Sequence, residues 1–184
     1  MTSSPAPGAL DLVRRFVNTV DLEEGRDELA DPERLGGWLA EEGLAGRDER
    51  FGPADLERAR EVREALRALL LANAGHGLPA GAVETLNRVA GDAPLVVRFS
   101  AGGQAGLQPE DGGIQGALGR LLAAAHTAMV DGTWPRLKAC ANATCRWAFY
   151  DRSKNRSGRW CAMESCGNVM KARAYRRRRV ASSA

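Results

Sequence analysis

The sequence predicts a mainly α protein of the α+β class: a helical N-terminal body with one small β-hairpin, then a small cysteine-rich module with a basic C-terminal helix. Three observations predict this class. Apolar residues recur at helical spacing through most of residues 10–130. One short β-like run interrupts that pattern at 95–99, and all four cysteines fall between Cys140 and Cys166. A chain of 184 residues, 44% hydrophobic and 27% charged, suits one globular core with a small appendage.

The first two predicted helices cover residues 10–20 and 31–44. In the first, apolar residues fall on one face at a spacing that fits a helix. In the second, Asp31 suits the N-cap position and Pro32 the first helical position. Gly43 lies near its predicted end.

The longest predicted helix runs over 53–74 and stops at the glycines of 75–77. Its apolar residues form the predicted inward face, and its charged residues, Arg63 and Arg67 among them, the opposite side. A shorter helix is predicted over 79–89, with Val83 facing the core.

A hairpin and a buried helix complete the predicted body. The run 95–99 predicts a strand, the glycine-rich segment 101–106 predicts its turn, and Leu107 begins the returning strand. The glycine-rich segment matches neither GxxxxGK[ST] nor GxGxxG, so a turn is favoured over a phosphate site. A Leu/Ala-rich helix follows over 114–130, and the boundary before the cysteine module is predicted at 131–133.

Charge is divided unevenly along the chain. The formal net charge is +3, yet 13 of the 26 Lys/Arg and only two of the 23 Asp/Glu lie from Trp134 onward. The preceding part is therefore acidic. This asymmetry predicts that one face of the C-terminal module binds a polyanion and that the acidic body does not bind it.

The cysteines follow the pattern Cys140-x4-Cys145-x15-Cys161-x4-Cys166. Two pairs separated by a mid-length loop are typical of a tetrahedral zinc site with four thiolate ligands, closed to water and therefore structural. Two disulfides or four free thiols are the alternatives. The sequence shows no secretory signal and is expected to be cytoplasmic, which disfavours disulfides.

A module this small needs its metal, because its few aliphatic side chains cannot offset chain entropy. Loss of zinc is accordingly expected to unfold the module and to leave the body intact. Four aromatic residues are expected to pack as a small core beside the metal, in preference to stacking on bases: Trp147, Phe149, Tyr150 and Trp160.

Cations surround the predicted zinc site. A polar loop lies between the cysteine pairs, and a basic helix is predicted over 169–179 after Asn168 as its N-cap. Such an array can displace counterions from DNA, and Asn155 could read adenine. The alternative is a solvated basic surface. The candidate nucleic-acid-binding residues are Arg152, Lys154, Asn155, Arg156, Arg159, Lys171, Arg173, Arg176, Arg177, Arg178 and Arg179.

These residues resemble a known family. Cys140 to Asn155, the step Arg159-Trp160-Cys161-Ala-Met163 and the triplet Cys166-Gly167-Asn168 resemble the CGNR zinc finger, although Val169 stands where its naming motif has arginine. The segment Phe16-Val17-Asn18-Thr19, the long helix and the hairpin resemble the ABATE domain that usually precedes this finger. The resemblance implies a bacterial, stress-induced transcription regulator whose four cysteines carry zinc and whose finger binds DNA.

The resulting organisation is a disordered lead over 1–9, a body over 10–133 and a finger over 134–180. Asn18 and Thr19 are candidates for a small-ligand pocket in the body; a helix-end hydrogen-bonding pair is the alternative. His76 and His126 lack neighbours at ligand spacing, so no metal role is expected for them.

The expected function is a DNA-binding regulator and not an enzyme, because no catalytic arrangement is evident. The rival hypotheses are a zinc-stabilised protein-interaction module and a small-molecule enzyme that uses the finger as a localiser. DNA is the expected partner, and no membrane association is expected. An unknown small-molecule effector and a homodimer are left open.

Overall fold

The computed structural model describes residues 5–172 and residue 176. This part of the chain is mainly helical, with antiparallel two-stranded hairpins between the helices, so the predicted fold class is confirmed. None of its helices has the length and hydropathy that crossing a bilayer requires. The elements are α1 (Leu10–Val17), β1 (Val20–Asp21), β2 (Arg26–Asp27), α2 (Pro32–Glu41), α3 (Pro53–Asn73), α4 (Ala80–Asp92), β3 (Leu95–Phe99), β4 (Ala105–Pro109), α5 (Gly113–Val130), a 3-10 helix (Trp134–Arg136), β5 (Leu137–Ala139), β6 (Ala148–Tyr150) and a π-helical turn (Met163–Gly167).

The helix starts follow the local signals in the sequence. The Asp31 carboxylate accepts a hydrogen bond from the Arg34 amide at 2.9 Å and caps α2, with Pro32 in its first turn. At the start of α3 the Asp55 carboxylate accepts from the Gly52 amide at 2.8 Å. These caps satisfy amides that have no partner inside the helix, which is why both starts could be predicted.

A shared buried core joins the helical body to the β5–β6 hairpin of the cysteine module. Helices α1, α3 and α5 pack on one another, and α3 and α1 also pack on the β5–β6 hairpin. Leu137, Ala139 and Ala148 of that hairpin are fully buried in the same apolar cluster as the body helices. The apolar packing therefore continues across the segment 131–133.

Asn18 joins the body to the hairpin directly. Its side-chain amide donates to the Ala148 carbonyl at 2.9 Å, and its oxygen accepts from the Ala148 amide at 2.7 Å. The Thr19 hydroxyl donates to the Phe16 carbonyl at 2.8 Å and accepts from Arg63 at 3.0 Å. Both side chains are buried. The structure thus favours the helix-end hydrogen-bonding pair over the ligand-binding role considered for Asn18 and Thr19.

Arg63 and Arg67 correct the expectation that the charged residues of α3 all lie on its solvent side. Both are buried, with 4% and 3% of their surface exposed. Arg63 forms a two-pronged ion pair with Asp27 at 2.6 and 2.8 Å, and Arg67 donates to the Val17 carbonyl at 2.7 Å. Helix α3 is contacted by α1, α2, α4, α5 and β5, so little of its circumference is left for water.

Two other expectations are also corrected. Val83 of α4 is 38% exposed, and Val89 is the buried residue of that helix. In the predicted lead, Ala6 is buried and its amide donates to Asp11 at 2.7 Å, and residues 1–4 lie outside the described part of the chain. The C-terminal helical segment begins with the π-helical turn at Met163 and continues through 168–172, so it starts before residue 169.

Candidate metal centre

The first cysteine pair lies on a tight turn between β5 and β6. The Cys140 amide donates to the Trp147 carbonyl at 2.9 Å and extends the ladder of the hairpin. The amides of Cys145 and Arg146 both donate to the Asn142 carbonyl at 3.0 Å. Arg146 has a φ of 49°, in the left-handed region, at the end of this turn.

The second pair is placed by a loop and the π-helical turn. The Ala141 amide donates to the Arg159 carbonyl at 2.9 Å and joins this loop to the first turn. Cys166 lies in the π-helical turn and is buried. A Cβ at Gly167 would overlap the Met163 sulfur, so any larger residue there requires the exposed Met163 side chain to move.

All four sulfurs lie within 4.8 Å of one another. The Cys145–Cys161 and Cys161–Cys166 sulfurs are 3.6 and 3.8 Å apart, and all four residues are free cysteines. Tetrahedral zinc with Zn–S bonds of about 2.3 Å requires sulfurs about 3.8 Å apart. The donor set fits zinc, and the cysteines form a site for one structural zinc ion.

The closeness of the four thiols favours a bound cation. Hydrogen bonds from the Cys145 and Cys161 thiols lower the pKa of Cys140 to about 2, with help from the amides of Cys161 and Asn142. The same contact with Cys140 raises the pKa of Cys145. One thiolate therefore opposes ionisation of the next, and a cation is what allows all four to ionise.

Asn142 and Lys138 support the site, and neither is among the site residues predicted from the sequence. The buried Asn142 side chain donates to the Cys166 sulfur at 3.5 Å and so connects the two cysteine pairs. Such outer contacts orient the ligands of a metal site. An asparagine in the short segment between two cysteines indicates an Asx turn, and this signal could have identified Asn142. The signal for Lys138 is a lone cation within the apolar run of β5.

The aromatic side chains divide between two environments. Trp147 and Trp160 pack against the cysteines, whereas Tyr150 packs against the core shared with the body. Phe149 is buried. The expected packing beside the metal is confirmed for Trp147 and Trp160, whereas Tyr150 and Phe149 do not pack against the cysteines.

A buried ion pair shapes the loop between the cysteine pairs. Lys138 donates to the Asp151 carboxylate at 2.8 Å, and both side chains are at least 95% buried. Asp151 also accepts from the amides of Ser153 and Gly158 at 3.0 and 2.7 Å. A Cβ at Gly158 would lie 2.8 Å from that carboxylate, so glycine is required there. Asp151 therefore fixes the loop and contributes no exposed negative charge.

Asp151→Asn is expected to destabilise the protein by about 3 kcal/mol, because it leaves the Lys138 ammonium buried without its counter-charge. Burial alone would raise the pKa of Asp151, but the Lys138 and Ser153 hydrogen bonds outweigh it and lower that pKa. The stabilisation is thus fully present above the unfolded pKa of about 4, declines as the pH falls below it, and is lost only as the pH falls through the lowered folded pKa. Denaturant melts from pH 7 to pH 3 should show the gap between wild type and variant narrowing.

Glu164→Gln is the matched control, since Glu164 is an exposed acid of the same module. It should change the free energy of unfolding by less than about 0.5 kcal/mol. A gap between wild type and Asp151→Asn that stays constant down to pH 3 would contradict the assigned ion pair.

The candidate nucleic-acid-binding residues within the described ranges all lie at the surface. The loop places five of them there, and Lys171 and Arg176 are exposed on the helical segment. Arg152 donates to the Pro5 carbonyl at 2.8 Å, and Arg159 stacks on the Trp160 ring at 5.5 Å. Four of the candidates lie outside the described residues: Arg173, Arg177, Arg178 and Arg179.

An open cleft of about 880 Å³ lies along α2 in the body, apart from Asn18 and Thr19. Phe51 and the exposed Arg47 and Arg50 line one part of it. His76 and His126 are exposed, and among the described residues the groups that could hold a metal consist of the four cysteines.

Comparison with protein-family models gives two matches. The model for ABATE, described as "Putative stress-induced transcription regulator", matches residues 10–132. The model for the CGNR zinc finger matches residues 136–179. No curated protein matches the chain. The second match includes all four cysteines of the metal centre, and the chain belongs to the ABATE family, with a CGNR zinc finger following the ABATE domain.

Proposed function

We propose that this protein is a DNA-binding transcription regulator of the cytoplasm, in which the zinc-organised loop and the helical segment after it contact DNA. The observation that carries the proposal is the charge of the loop surface. Its cations Lys154 and Arg156 are exposed, and neither side chain has a hydrogen bond or ion pair with a described residue. The loop acid, Asp151, is buried against Lys138.

The rigidity of the loop favours binding to a regular array of phosphates. Ser153 Oγ accepts from the Ser157 amide at 3.1 Å, and Arg156 has a φ of 51°. Because zinc, Asp151 and these turns fix the backbone, little conformational entropy is lost when the cations meet a polyanion. Asn155, also exposed, is the neutral side chain of the loop suited to a base edge.

The body supplies the regulatory part of the proposal. We place the binding of an unidentified small effector, or assembly, in the ABATE domain, because it carries the open cleft along α2. Its contacts with the β5–β6 hairpin would let a change in the body alter the finger. No catalytic role is proposed for the chain.

Binding to DNA is expected to depend steeply on salt. If about six phosphates are neutralised, log affinity should fall against log salt concentration with a slope near −5. The double variant Lys154→Glu/Arg156→Glu should weaken binding at least about 10-fold and reduce the magnitude of the slope by about 2. Fluorescence anisotropy on duplexes enriched from genomic fragments measures both quantities.

Arg26→Glu/Arg88→Glu is the matched control, because these exposed body arginines lie outside the cleft and undergo the same change of charge. The control should bind within about two-fold of wild type, and both variants should retain one zinc per chain. Equal losses in the two variants, or a salt-independent affinity, would contradict a DNA-binding finger and favour the protein-interaction module.

A further inference from the structure

The β3–β4 hairpin extends beyond the body. At one end, Leu95 and Pro109 pack on α5, and a Cβ at Gly119 would lie 3.4 Å from both side chains. At the other end, Val97 and Phe99 are 61% and 73% exposed. Large apolar side chains this exposed on a strand indicate a surface that another chain covers.

The outer edge of β3 carries unpaired backbone groups. Within residues 5–172 its only strand partner is β4. The Ser100 amide donates to the Gln104 carbonyl at 2.9 Å, and the Glu110 amide donates to the Pro94 carbonyl at 3.1 Å. Hydrogen-bonded pairs alternate along an antiparallel ladder, so residues 94, 96, 98 and 100 face β4. The amides and carbonyls of Leu95, Val97 and Phe99 therefore point away from it.

This edge is complementary to itself. Antiparallel pairing of two copies of β3 about Val97 sets Val97 opposite Val97, and Leu95 opposite Phe99. The outward-facing groups then form about six hydrogen bonds between the strands. Arg98 falls opposite Val96 in this register, whereas pairing centred on Arg98 would oppose two like charges.

The same register makes one face of the resulting four-stranded sheet entirely apolar. Each copy contributes the residues that alternate on that face: Leu95, Val97, Phe99, Ala105, Leu107 and Pro109. The exposed Phe99 of one copy is brought beside Leu95 of the other, next to the surface of that copy's α5. The exposed Phe99 end of each β3 thus lies against the Leu95 end of its partner, which packs on α5. This reciprocal contact is what a two-fold interface requires.

We propose that the protein forms a two-fold dimer through antiparallel pairing of β3 with β3 of a second copy. Sedimentation equilibrium of the full-length zinc-bound protein, from micromolar to hundreds of micromolar, should show a mass rising toward twice the 19.7 kDa of one chain. Over the same range, exchange of the Val97 amide with solvent should slow. That amide is exposed in one copy and bonded in the dimer.

Two substitutions test the interface. Val97→Pro removes the central amide but leaves the bonds of β3 to β4, since this amide faces outward. Val97→Lys brings two ammonium groups together at the two-fold axis. Each should raise the dimer dissociation constant about 30-fold or more. Val83→Lys, at an exposed valine on α4, is the matched control and should leave the dimer unchanged.

A monomeric wild type across the whole range would overturn the proposal. So would a dimer that persists in both Val97 variants, which would place the interface elsewhere. Circular dichroism is used to check that each variant is folded, and Val97→Lys keeps the test valid if Val97→Pro does not fold.

Discussion

Cys161→Ser is expected to abolish zinc binding and to lower the melting temperature of the whole chain by about 10 °C or more. Cys140 and Cys145 lie in the turn between β5 and β6. This β5–β6 hairpin shares its buried core with α1 and α3. Loss of the metal therefore removes support from the body as well as from the finger. Metal analysis and thermal unfolding followed by circular dichroism measure the two effects.

Ala143→Ser is the matched control, because Ala143 is exposed in the same turn and gains only a hydroxyl group. It should keep one zinc per chain and the wild-type melting temperature. Retention of full zinc by Cys161→Ser would contradict the ligand assignment. A variant that loses zinc while the body melts unchanged would instead support the independent module that the sequence predicts.

The features that could be predicted from the sequence depend on short stretches of chain. Asp31 and Pro32 mark the start of α2 because capping and proline geometry involve adjacent residues. The zinc site could be predicted from the number and spacing of the cysteines. Four cysteines in one short segment of a protein without disulfides are typical of a structural zinc site. The fold class follows from periodicity, which α3 and α5 show over many residues.

The features that could not be predicted depend on contacts between distant residues. The sequence pattern places Arg63 on the solvent side of an amphipathic helix. In the structure Arg63 is paired with Asp27, which lies 36 positions earlier in the chain. Strand β5 has three residues, too few to show an alternation. The fixed shape of the basic loop arises from Lys138 and Asp151, a pair that spacing alone does not reveal.

Asn18→Leu is expected to destabilise the protein by about 3 kcal/mol and to lower its melting temperature by about 10 °C. Two backbone hydrogen bonds set the pattern of the β5–β6 ladder. The Cys140 amide donates to the Trp147 carbonyl, and the Asp151 amide donates to the Arg136 carbonyl. By alternation, the amide and carbonyl of Ala148 face away from β5 and toward Asn18. Leucine would leave both groups buried without a partner, at about 1–3 kcal/mol each.

The effect of Asn18→Leu should also reach the metal, because Ala148 lies three residues after Cys145. Zinc transfer to a chelator should be about 10-fold faster than in wild type, as expected when support for a ligand is lost. Asn87→Leu, the same substitution at an exposed position on α4, should leave both melting and zinc transfer unchanged. If Asn18→Leu weakened folding but not zinc retention, the hairpin would hold its cysteines without the body. A variant that melts like wild type would show that Asn18 does not support the hairpin.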